Sequence, residues 1–471
     1  MKKTKCVLID PPDEVPDSCQ RQDAHQTTEI HEVYPPLGLL YIAAVLKQND
    51  IDVRLIEART MGLSHGEVIE EVRKENPDFV GITAITARIN SALYLSAKVK
   101  EINPDINPVR KPSKGSKFSN GVKVILGGPH VHFEHRSVIG DPSVDICVRG
   151  EGEITALELI KTVQEGGNLR DVKGITFKEG DEVIVTPDRP HVADLDTLPF
   201  PARELLQSPA YRGLWTEGET FSPMLATRGC PYLCQFCDAP AIWGRVHRRR
   251  TVTNVLDEVE QIYKEFGVRY VRFVDDLLVV NKKWTIELCR GMHKRGLDEL
   301  SWACDGRVGL MSEELLEELK KANCKVIFYG IEFGSQRILD LCKKGFTIEQ
   351  VKETIEMTSK TGISSYGYFM MGYPTETVET VEDTINLAKE LALDYGMDSA
   401  GFSIVTPFPG TGLYEYCKKN DMLKTTDWSQ YSYQLGKGVI KLENITEEEL
   451  KALYERALYE FQFRESLRQF V

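Results

Sequence analysis

Three cysteines within eight residues are the strongest chemical signal in the sequence: Cys230, Cys234 and Cys237. They come directly after a strand-like run and the turn Thr227-Arg228-Gly229. Cysteines this close together can reach one point only if their loop wraps around it, as the loops that bind iron–sulfur clusters do. Three thiolates would leave one iron of a four-iron cluster without a protein ligand, and that iron could bind a small molecule.

The main alternative for this loop is a structural zinc ion, which takes four protein ligands. His247 or Cys304 could supply the fourth ligand. Zinc-finger spacings, however, usually pair two cysteines with a second, distant pair. The spacing of the three cysteines therefore favours an iron–sulfur cluster.

The residues after Met224 predict the elements that position this loop. Six strand-like runs alternate with helical patterns, at residues 223–226, 270–274, 301–303, 325–331, 365–371 and 401–405. Such strand–helix units predict an incomplete (β/α)6 TIM-like barrel with its chemistry at the carboxyl ends of the strands. The helix after the cysteines is predicted to start at a Thr251 cap and end at Gly267. Its buried face consists of Val255, Val259, Ile262 and Phe266.

The first third of the chain shows a second strand–helix alternation. Strands are predicted at residues 6–10, 53–57, 79–84, 122–126 and 145–148, and helices at 37–48, 64–75 and 88–102. This order predicts an N-terminal doubly wound, Rossmann-like parallel sheet. Its ligand crevice should lie beyond the carboxyl ends of the strands.

These patterns divide the chain into four predicted segments. They are a Rossmann-like domain (1–153), a connector (154–215), a partial barrel (216–412) and a C-terminal helical segment (413–471). The connector contains a predicted hairpin, with strands at 174–177 and 182–186. A polar loop at 12–34 and a cationic stretch at 107–120 interrupt the first domain, and we interpret the cationic stretch as a solvated insertion.

Composition narrows the class of protein. The formal net charge of −13 offers no general attraction to nucleic acid, so none is expected as a partner. No apolar run approaches the roughly 18 residues that would span a bilayer. Eleven cysteines without a secretory signal indicate reduced thiols rather than a disulfide framework. A cytoplasmic location is therefore predicted.

The cysteine loop resembles the CxxxCxxC signature of the radical S-adenosylmethionine (SAM) superfamily, with Phe236 as the aromatic residue before the third cysteine. The resemblance implies a [4Fe-4S] cluster and SAM as cofactors. It further implies that Asp275 and Asp276 contact the methionyl amino group. Glu332, within Gly330–Ser335, is expected to bind the ribose hydroxyls. Gly372 and Thr406, at the ends of the fifth and sixth strands, are expected at the adenine.

The first domain resembles the cobalamin-binding domain that precedes the radical SAM domain in one large subfamily. The matching positions imply a set of corrin contacts: Pro36, Leu37, Thr83, Gly127, Gly128, Pro129, His130, Glu151 and Gly152. The histidine-ligand motif for cobalt is incomplete, because Asp23 and His25 lack the following glycine. His130 is expected beside the corrin and not on the cobalt. The alternative is a sheet that binds another nucleotide or nothing.

The two resemblances together imply a methyltransferase that acts on an unactivated carbon of a small-molecule substrate. Such an enzyme uses a 5′-deoxyadenosyl radical and methylcobalamin, and needs an electron donor such as flavodoxin or ferredoxin. One alternative is a non-methylating oxidation or cyclisation, as in the anaerobic magnesium-protoporphyrin monomethyl ester cyclase. A transfer RNA methylthiotransferase fits less well. Enzymes of that class carry an additional cysteine trio in their first domain, whereas the cysteines of this first domain, Cys6, Cys19 and Cys147, are widely separated. A non-catalytic sensor with the same cofactors is a further alternative.

Overall fold

The computed structural model describes residues 3–13, 34–102, 121–207, 211, 216, 218–432 and 438–468. The chain divides into two compact units, Met1–Leu214 and Trp215–Val471. His25, Cys19 and the cationic stretch at 107–120 lie outside the described residues. Within the described part, no helix combines the length and the apolar composition needed to cross a membrane.

The first unit is built on a seven-stranded sheet. Its strands are β1 (Lys5–Asp10), β2 (Asp52–Glu57), β3 (Phe79–Thr83), β4 (Lys123–Gly127), β5 (Ile146–Val148), β6 (Ile175–Glu179) and β7 (Glu182–Val185). They are ordered β2-β1-β3-β4-β5-β6-β7, with the first five parallel and the last two antiparallel. The strand order reverses between the parallel neighbours β1 and β3. This is the topological switch point at which doubly wound sheets bind ligands.

In the described part of the first unit, six helices connect the strands of this sheet. They are α1 (Leu37–Gln48), α2 (Ala58–Met61), α3 (His65–Glu75), α4 (Ile89–Lys100), α5 (Pro129–Val138) and α6 (Gly152–Glu165). The three predicted helices are confirmed, and α3 starts at a capping box formed by Ser64 and Glu67. The predicted Rossmann-like sheet is confirmed. The sequence pattern did not predict α5, whose three histidines obscure its apolar face.

The hairpin that the sequence assigned to the connector continues this first sheet. Its strand β6 pairs antiparallel with β5, and β7 pairs with β6. The pairing satisfies the backbone groups of β5, which would otherwise form an open edge. The division of the chain into four segments therefore stays a prediction. The structure itself separates into two compact units, with the boundary between Leu214 and Trp215.

The second unit contains a six-stranded sheet and a small two-stranded ribbon. Its strands are β8 (Phe221–Met224), β9 (Thr227–Arg228), β10 (Arg248–Arg249), β11 (Tyr270–Phe273), β12 (Ser301–Gly306), β13 (Cys324–Glu332), β14 (Ser364–Met371) and β15 (Ser399–Ile404). The large sheet is parallel throughout, in the order β15-β14-β13-β12-β11-β8. Among the described residues β8 and β15 are its unpaired edges, which confirms the incomplete barrel.

The described residues of this unit form nine helices. They are α7 (Ala239–Trp243), α8 (Val252–Lys264), α9 (Lys282–Lys294), α10 (Glu313–Lys321), α11 (Gln336–Leu341), α12 (Ile348–Lys360), α13 (Val378–Asp394), α14 (Gly412–Lys419) and α15 (Glu447–Arg468). The Thr251 side chain caps α8 as predicted. The placement of Phe266 on its buried face is wrong. The helix ends at Lys264, the chain turns at Gly267, and Phe266 is 38% exposed.

The two faces of the large sheet differ in character. Ile327, Tyr329 and Ile331 on β13 belong to the hydrophobic core between the sheet and the helices. Because side chains alternate along a strand, Phe328 and Glu332 belong to the opposite face, called here the inner face. The carboxyl ends of all six strands lie at one edge of this face, and the cysteine loop begins there.

The turn after β4 provides a test of how tightly the first sheet is built. Gly128 has a φ of +103° and a ψ of 177°, and an added Cβ would lie 2.8 Å from the Ala84 carbonyl oxygen. We expect Gly128→Ala to lower the free energy of unfolding by about 3 kcal/mol or more, because it adds a backbone collision to the strain. Gly62→Ala is the matched control, with a φ of +62° and open space around its Cβ. It should cost only about 1 kcal/mol. Urea denaturation followed by circular dichroism measures both, and equal losses would contradict the expectation.

Candidate active site

The entrance to the cysteine loop is held by the buried carboxylate of Asp275, which follows β11. Its Oδ1 accepts hydrogen bonds from the Ala226 amide at 3.0 Å, the Thr227 hydroxyl at 2.6 Å and the Thr227 amide. Its Oδ2 is buried without a hydrogen-bond partner. Burial raises the pKa of Asp275 to about 7, although these hydrogen bonds oppose the shift. The Asp275 carboxylate thus fixes the backbone at the start of the loop.

Asp276 has a different environment from its neighbour. Its Oδ2 accepts a hydrogen bond from the Gly229 amide at 3.0 Å, one residue before Cys230. The residue is exposed at the carboxyl-end edge of the sheet. Burial of its carboxyl group nevertheless raises its pKa to about 6, with the charges of Asp238 and Asp305 adding to the shift. Of the two aspartates, Asp276 is therefore the one with an exposed residue surface, although its carboxyl group is partly enclosed.

Two further backbone hydrogen bonds hold the middle of the loop. The Gln235 amide donates to the Cys342 carbonyl at the end of α11, at 2.9 Å. The Gln235 carbonyl accepts from the Leu413 amide at the start of α14, at 2.8 Å. An added Cβ at Gly412 would lie 2.5 Å from Gln235 Oε1, so glycine permits this close approach. The cysteine loop is thus fixed at both its entrance and its centre.

Arg307, in the segment after β12, is a functional candidate that the sequence reasoning missed. Its guanidinium carbon lies 3.6 Å from the ring centroid of Tyr232, inside the cysteine loop. Nη1 lies 4.0 Å from the Cys234 sulfur, and Nη2 donates to the Lys344 carbonyl. The residue is buried. Its position four residues after the predicted strand at 301–303 was the only sequence signal, and that signal did not distinguish it from other cations.

Lys344 joins the cysteine loop to Glu332, the residue expected at the ribose. Lys344 Nζ donates to Glu332 Oε1 at 2.8 Å and lies 5.5 Å from the ring centroid of Phe236. Both residues are buried, and the carboxylate of Glu332 raises the pKa of Lys344 against the opposing effect of burial. Glu332 has a φ of +73°, at a bulge in the pairing of β13 with β14. Such a conformation is uncommon away from glycine and is frequent at functional sites.

The three thiols fit the predicted cluster. All three are unpaired and partly accessible on one anchored loop, with two buried cations beside them. Burial raises the pKa of Cys237 to about 12, so the thiolates would form together with the metal. The two candidate fourth ligands for zinc are engaged elsewhere: His247 Nε2 contacts the Leu277 carbonyl at 3.1 Å, and Cys304 interacts with Cys324. Among the described residues, no group of three or more His, Cys, Asp or Glu is arranged for a single metal ion.

The residues expected at the adenine follow β14 and β15. The Gly372 amide donates to Glu376 Oε2 at 2.7 Å, and an added Cβ at Gly372 would lie 3.0 Å from Leu450. The Thr406 hydroxyl donates to the Ile404 carbonyl at 3.2 Å. Both residues lie at the carboxyl-end edge, but the hydrogen-bonding groups described here already have partners within the protein. Their assignment to adenine stays a prediction.

At the carboxyl-end edge of the first unit, the loops after β3, β4 and β5 are tied together. His130 Nδ1 lies 3.2 Å from the Thr86 hydroxyl, and its backbone amide donates to the Ala84 carbonyl. Burial lowers the pKa of His130 to about 4, so the ring is neutral at physiological pH. His132, which the sequence reasoning missed, accepts a hydrogen bond from the Gly150 amide at 3.0 Å. The histidine pair on α5 thus connects three loops.

The other predicted corrin contacts surround the same edge. Glu151 Oε2 accepts from the Val192 amide at 2.7 Å, and an added Cβ at Gly152 would lie 2.9 Å from Ile42. Glu151 and Gly152 therefore carry packing roles of their own. Added Cβ atoms at Gly38 and Gly150 would meet no atom of the described residues within 4 Å, so both positions are uncrowded. The remaining predicted positions lie at this edge: Pro36 and Leu37 at the start of α1, Thr83 at the end of β3, and Gly127, Gly128 and Pro129 between β4 and α5.

Two protein-family models match the chain. The radical SAM superfamily matches residues 224–388, which include the three cysteines, Asp276 and Glu332. The B12-binding domain matches residues 27–109 in the first unit. The two matches fall on the two units of the structure.

Similar proteins extend over nearly the whole chain. An uncharacterized methyltransferase of Pyrococcus horikoshii is 34% identical over 98% of this chain and 94% of its own length. The anaerobic magnesium-protoporphyrin IX monomethyl ester cyclase of Rubrivivax gelatinosus is 33% identical over 86% of this chain and 70% of its own length. The chain therefore belongs to the cobalamin-dependent radical SAM enzymes, whose cofactors are a [4Fe-4S] cluster, SAM and cobalamin.

Solved structures confirm the fold. The radical SAM methyltransferase TsrM from Kitasatospora setae, with cobalamin and a [4Fe-4S] cluster bound, has a TM-score of 0.68 at 17% identity. The similarity covers 90% of this chain and 76% of that one. The cobalamin-dependent radical SAM enzyme OxsB has a TM-score of 0.73 at 16% identity, covering 97% and 66% of the two chains.

The contact between Arg307 and Cys234 predicts an effect on the cluster. Reduction adds negative charge, which a buried neighbouring cation stabilises. Arg307→Met keeps the side chain's bulk and removes the charge, so we expect a reduction potential more negative by tens of millivolts. A redox titration of the reconstituted protein, monitored by electron paramagnetic resonance, measures the shift. Arg269→Met is the matched control, because Arg269 also covers a tyrosine ring, that of Tyr263 at 4.4 Å, at the amino end of β11. Equal potentials in the two variants would contradict the expectation.

The buried Asp275 predicts a pH dependence of stability. Its pKa is about 7 in the folded protein and about 3.9 in an unfolded chain. Between these values the folded protein holds a proton that the unfolded chain has released, so stability falls as pH rises. Asp275→Asn keeps the Oδ1 acceptor and cannot ionise. We expect its stability to rise relative to wild type by about 2–4 kcal/mol between about pH 4 and pH 7. Unfolding curves of the two apoproteins test this, and a difference independent of pH would contradict it.

Proposed function

We propose that this protein transfers a methyl group to an unactivated carbon of a small-molecule substrate. The observation that carries the proposal is the 34% identity to a protein named as a methyltransferase, which extends over 98% of this chain and so includes both cofactor-binding units. More distant relatives are named a hopanoid C-3 methylase and a cytidylyl-2-hydroxyethylphosphonate methyltransferase. The relatives act on different substrates, so the substrate is not inferred from them.

The proposed chemistry divides between the cofactors and the protein. When bound, the cluster with SAM supplies a 5′-deoxyadenosyl radical, and cobalamin supplies the methyl group. Cys230, Cys234 and Cys237 would hold the cluster and leave one iron open for SAM. Arg307 and Lys344 would stabilise the added negative charge at the cluster. The protein's contribution is to hold these groups in a fixed geometry and exclude water.

Two side chains would position SAM directly. Asp276, the more exposed of the two aspartates, would accept hydrogen bonds from the methionyl ammonium group. Glu332 would bind the ribose hydroxyls, and the bond from Lys344 to its Oε1 fixes the orientation of that carboxylate. Phe236 would shield the cluster from solvent. Asp275 would act on SAM indirectly, by holding the backbone at Ala226 and Thr227.

The corrin would lie over the carboxyl-end edge of the first unit, at the switch point between β1 and β3. The uncrowded positions of Gly38 and Gly150 at this edge agree with a large ligand there. His130 would support the loop beneath the corrin and would not ligate cobalt, because the residue is almost completely buried within the protein.

The second candidate is a radical oxidation or cyclisation without methyl transfer. The observation in its favour is the 33% identity to the magnesium-protoporphyrin IX monomethyl ester cyclase, over 86% of this chain. That identity is almost as high as the identity to the methyltransferase. The two candidates share the same radical-forming site and differ in the fate of the substrate radical.

We also propose that a small one-electron carrier, such as flavodoxin or ferredoxin, reduces the cluster. Electron supply is required because cleavage of the sulfonium consumes one electron per radical. A cytoplasmic setting agrees with the ten described cysteines, all of which are unpaired thiols.

Anaerobic turnover with methyl-labelled SAM distinguishes the two candidates. We expect label in the product, together with one 5′-deoxyadenosine for each methyl group transferred. The control is Cys234→Ala, which should form neither product because the cluster loses a ligand. Formation of 5′-deoxyadenosine with an unlabelled product would reject methyl transfer and favour oxidation or cyclisation.

A further inference from the structure

Three aromatic rings form a continuous surface on the inner face of the large sheet. Phe328 on β13 lies directly opposite Tyr366 on β14, with ring centroids 5.4 Å apart. Tyr368 stacks on Phe328 at 5.8 Å with an interplanar angle of 18° and lies 5.1 Å from Tyr366. We call Phe328, Tyr366 and Tyr368 the inner aromatic stripe. None of the three belongs to the core between the sheet and the helices.

The stripe becomes accessible toward the carboxyl ends of the strands. Phe328 is 3% exposed, whereas Tyr368 is 40% exposed. Tyr368 on β14 pairs with Gly330 on β13 at one side and with Gly401 on β15 at the other. Neither glycine has a side chain to cover the tyrosine ring. At Gly401 an added Cβ would lie 2.2 Å from the Tyr366 hydroxyl, so this glycine also makes room for the stripe.

The exposed ring lies next to the proposed SAM-binding carboxylate. Glu332 is the next inner-face residue after Gly330 on the same strand, and its side chain extends back over that glycine. An added Cβ at Gly330 would lie 2.5 Å from Glu332 Oε1 and 3.0 Å from Lys344 Nζ. Since Gly330 pairs with Tyr368, the ring of Tyr368 is adjacent to the Glu332–Lys344 pair. A substrate that lies on this ring is therefore close to the reacting end of the barrel.

The charges beside the stripe are neutralised within the protein. Arg272 binds both oxygens of Asp305, at 3.0 and 2.8 Å, and its guanidinium carbon lies 4.2 Å from the ring centroid of Phe328. Lys344 is likewise neutralised, through its ion pair with Oε1 of Glu332. The surface consequently presents ring faces and hydroxyl groups without a net charge. Such a surface favours an uncharged, flat, unsaturated group, which gains from stacking beyond simple burial.

We propose that the inner aromatic stripe is the substrate platform, and that the substrate presents a planar conjugated or aromatic ring that stacks on Tyr368. The proposal deepens the proposed function by naming the substrate class, and it rests on that function only for the identification of this face as the reacting side. It makes Tyr368 a specificity-determining residue. The hydroxyl of Tyr368 is not required for stacking.

Two uncharged probes of similar size separate stacking from burial: 2-naphthol, which is planar, and decahydro-2-naphthol, which is saturated. Calorimetric titration of the protein loaded with cluster, SAM and cobalamin measures both affinities. We expect 2-naphthol to bind more tightly. Tyr368→Leu should weaken 2-naphthol by about 2- to 12-fold and leave decahydro-2-naphthol nearly unchanged. Tyr368→Phe should keep the preference for the planar probe.

Tyr416→Leu is the matched control, because Tyr416 is 48% exposed on α14 and lies outside the stripe. It should bind both probes as the wild type does. Equal affinity of the wild type for the two probes, equal weakening of both by Tyr368→Leu, or no binding of 2-naphthol at millimolar concentration would each overturn the proposal. Probe binding involves no methyl transfer, so an unlabelled product in the turnover experiment would reject the proposed function and leave this result intact.

Discussion

The radical-forming site depends on one buried carboxylate that holds two neighbouring strands and a loop in register. Asp275 follows β11, and its Oδ1 accepts hydrogen bonds from the chain at Ala226 and Thr227, where β8 leads into the cysteine loop. Burying a carboxyl group is costly unless it is hydrogen-bonded or protonated. The three bonds to Oδ1 and the raised pKa of the group offset that cost.

A short chain of contacts then links the cluster loop to the proposed SAM carboxylate. Cys234 contacts Arg307, Arg307 bonds the backbone of Lys344, and the Lys344 side chain pairs with Glu332. A buried cation without a partner would be unfavourable. Within this series of contacts, Arg307 is bonded to a backbone carbonyl and Lys344 is paired with a carboxylate. A change in charge at the cluster is consequently felt at Glu332 through neighbouring groups and not through solvent. The same pairing leaves the inner aromatic stripe without a net charge beside it.

In the first unit the structural requirement is different, because several loops must be held in place around a large ligand. Gly38 at the start of α1 and Gly150 after β5 are uncrowded, and Gly128 after β4 permits a tight turn. Open loops lose conformational entropy when they are fixed. His130 and His132 meet that requirement by bonding across from α5 to the loops after β3 and β5.

The sequence by itself determined both sheets and the cysteine loop, because strand–helix periodicity and cysteine spacing are local properties. The cofactor class and the roles expected of Glu332 and the aspartates came from the resemblance of their motifs to those of a known family. Only the tertiary structure distinguished buried Asp275 from exposed Asp276, and only it brought Arg307 and Lys344 to the cysteines. Cations are common on surfaces, and their partners here are distant in sequence. The burial and pairing that give them a role arise only when separate strands and loops pack together.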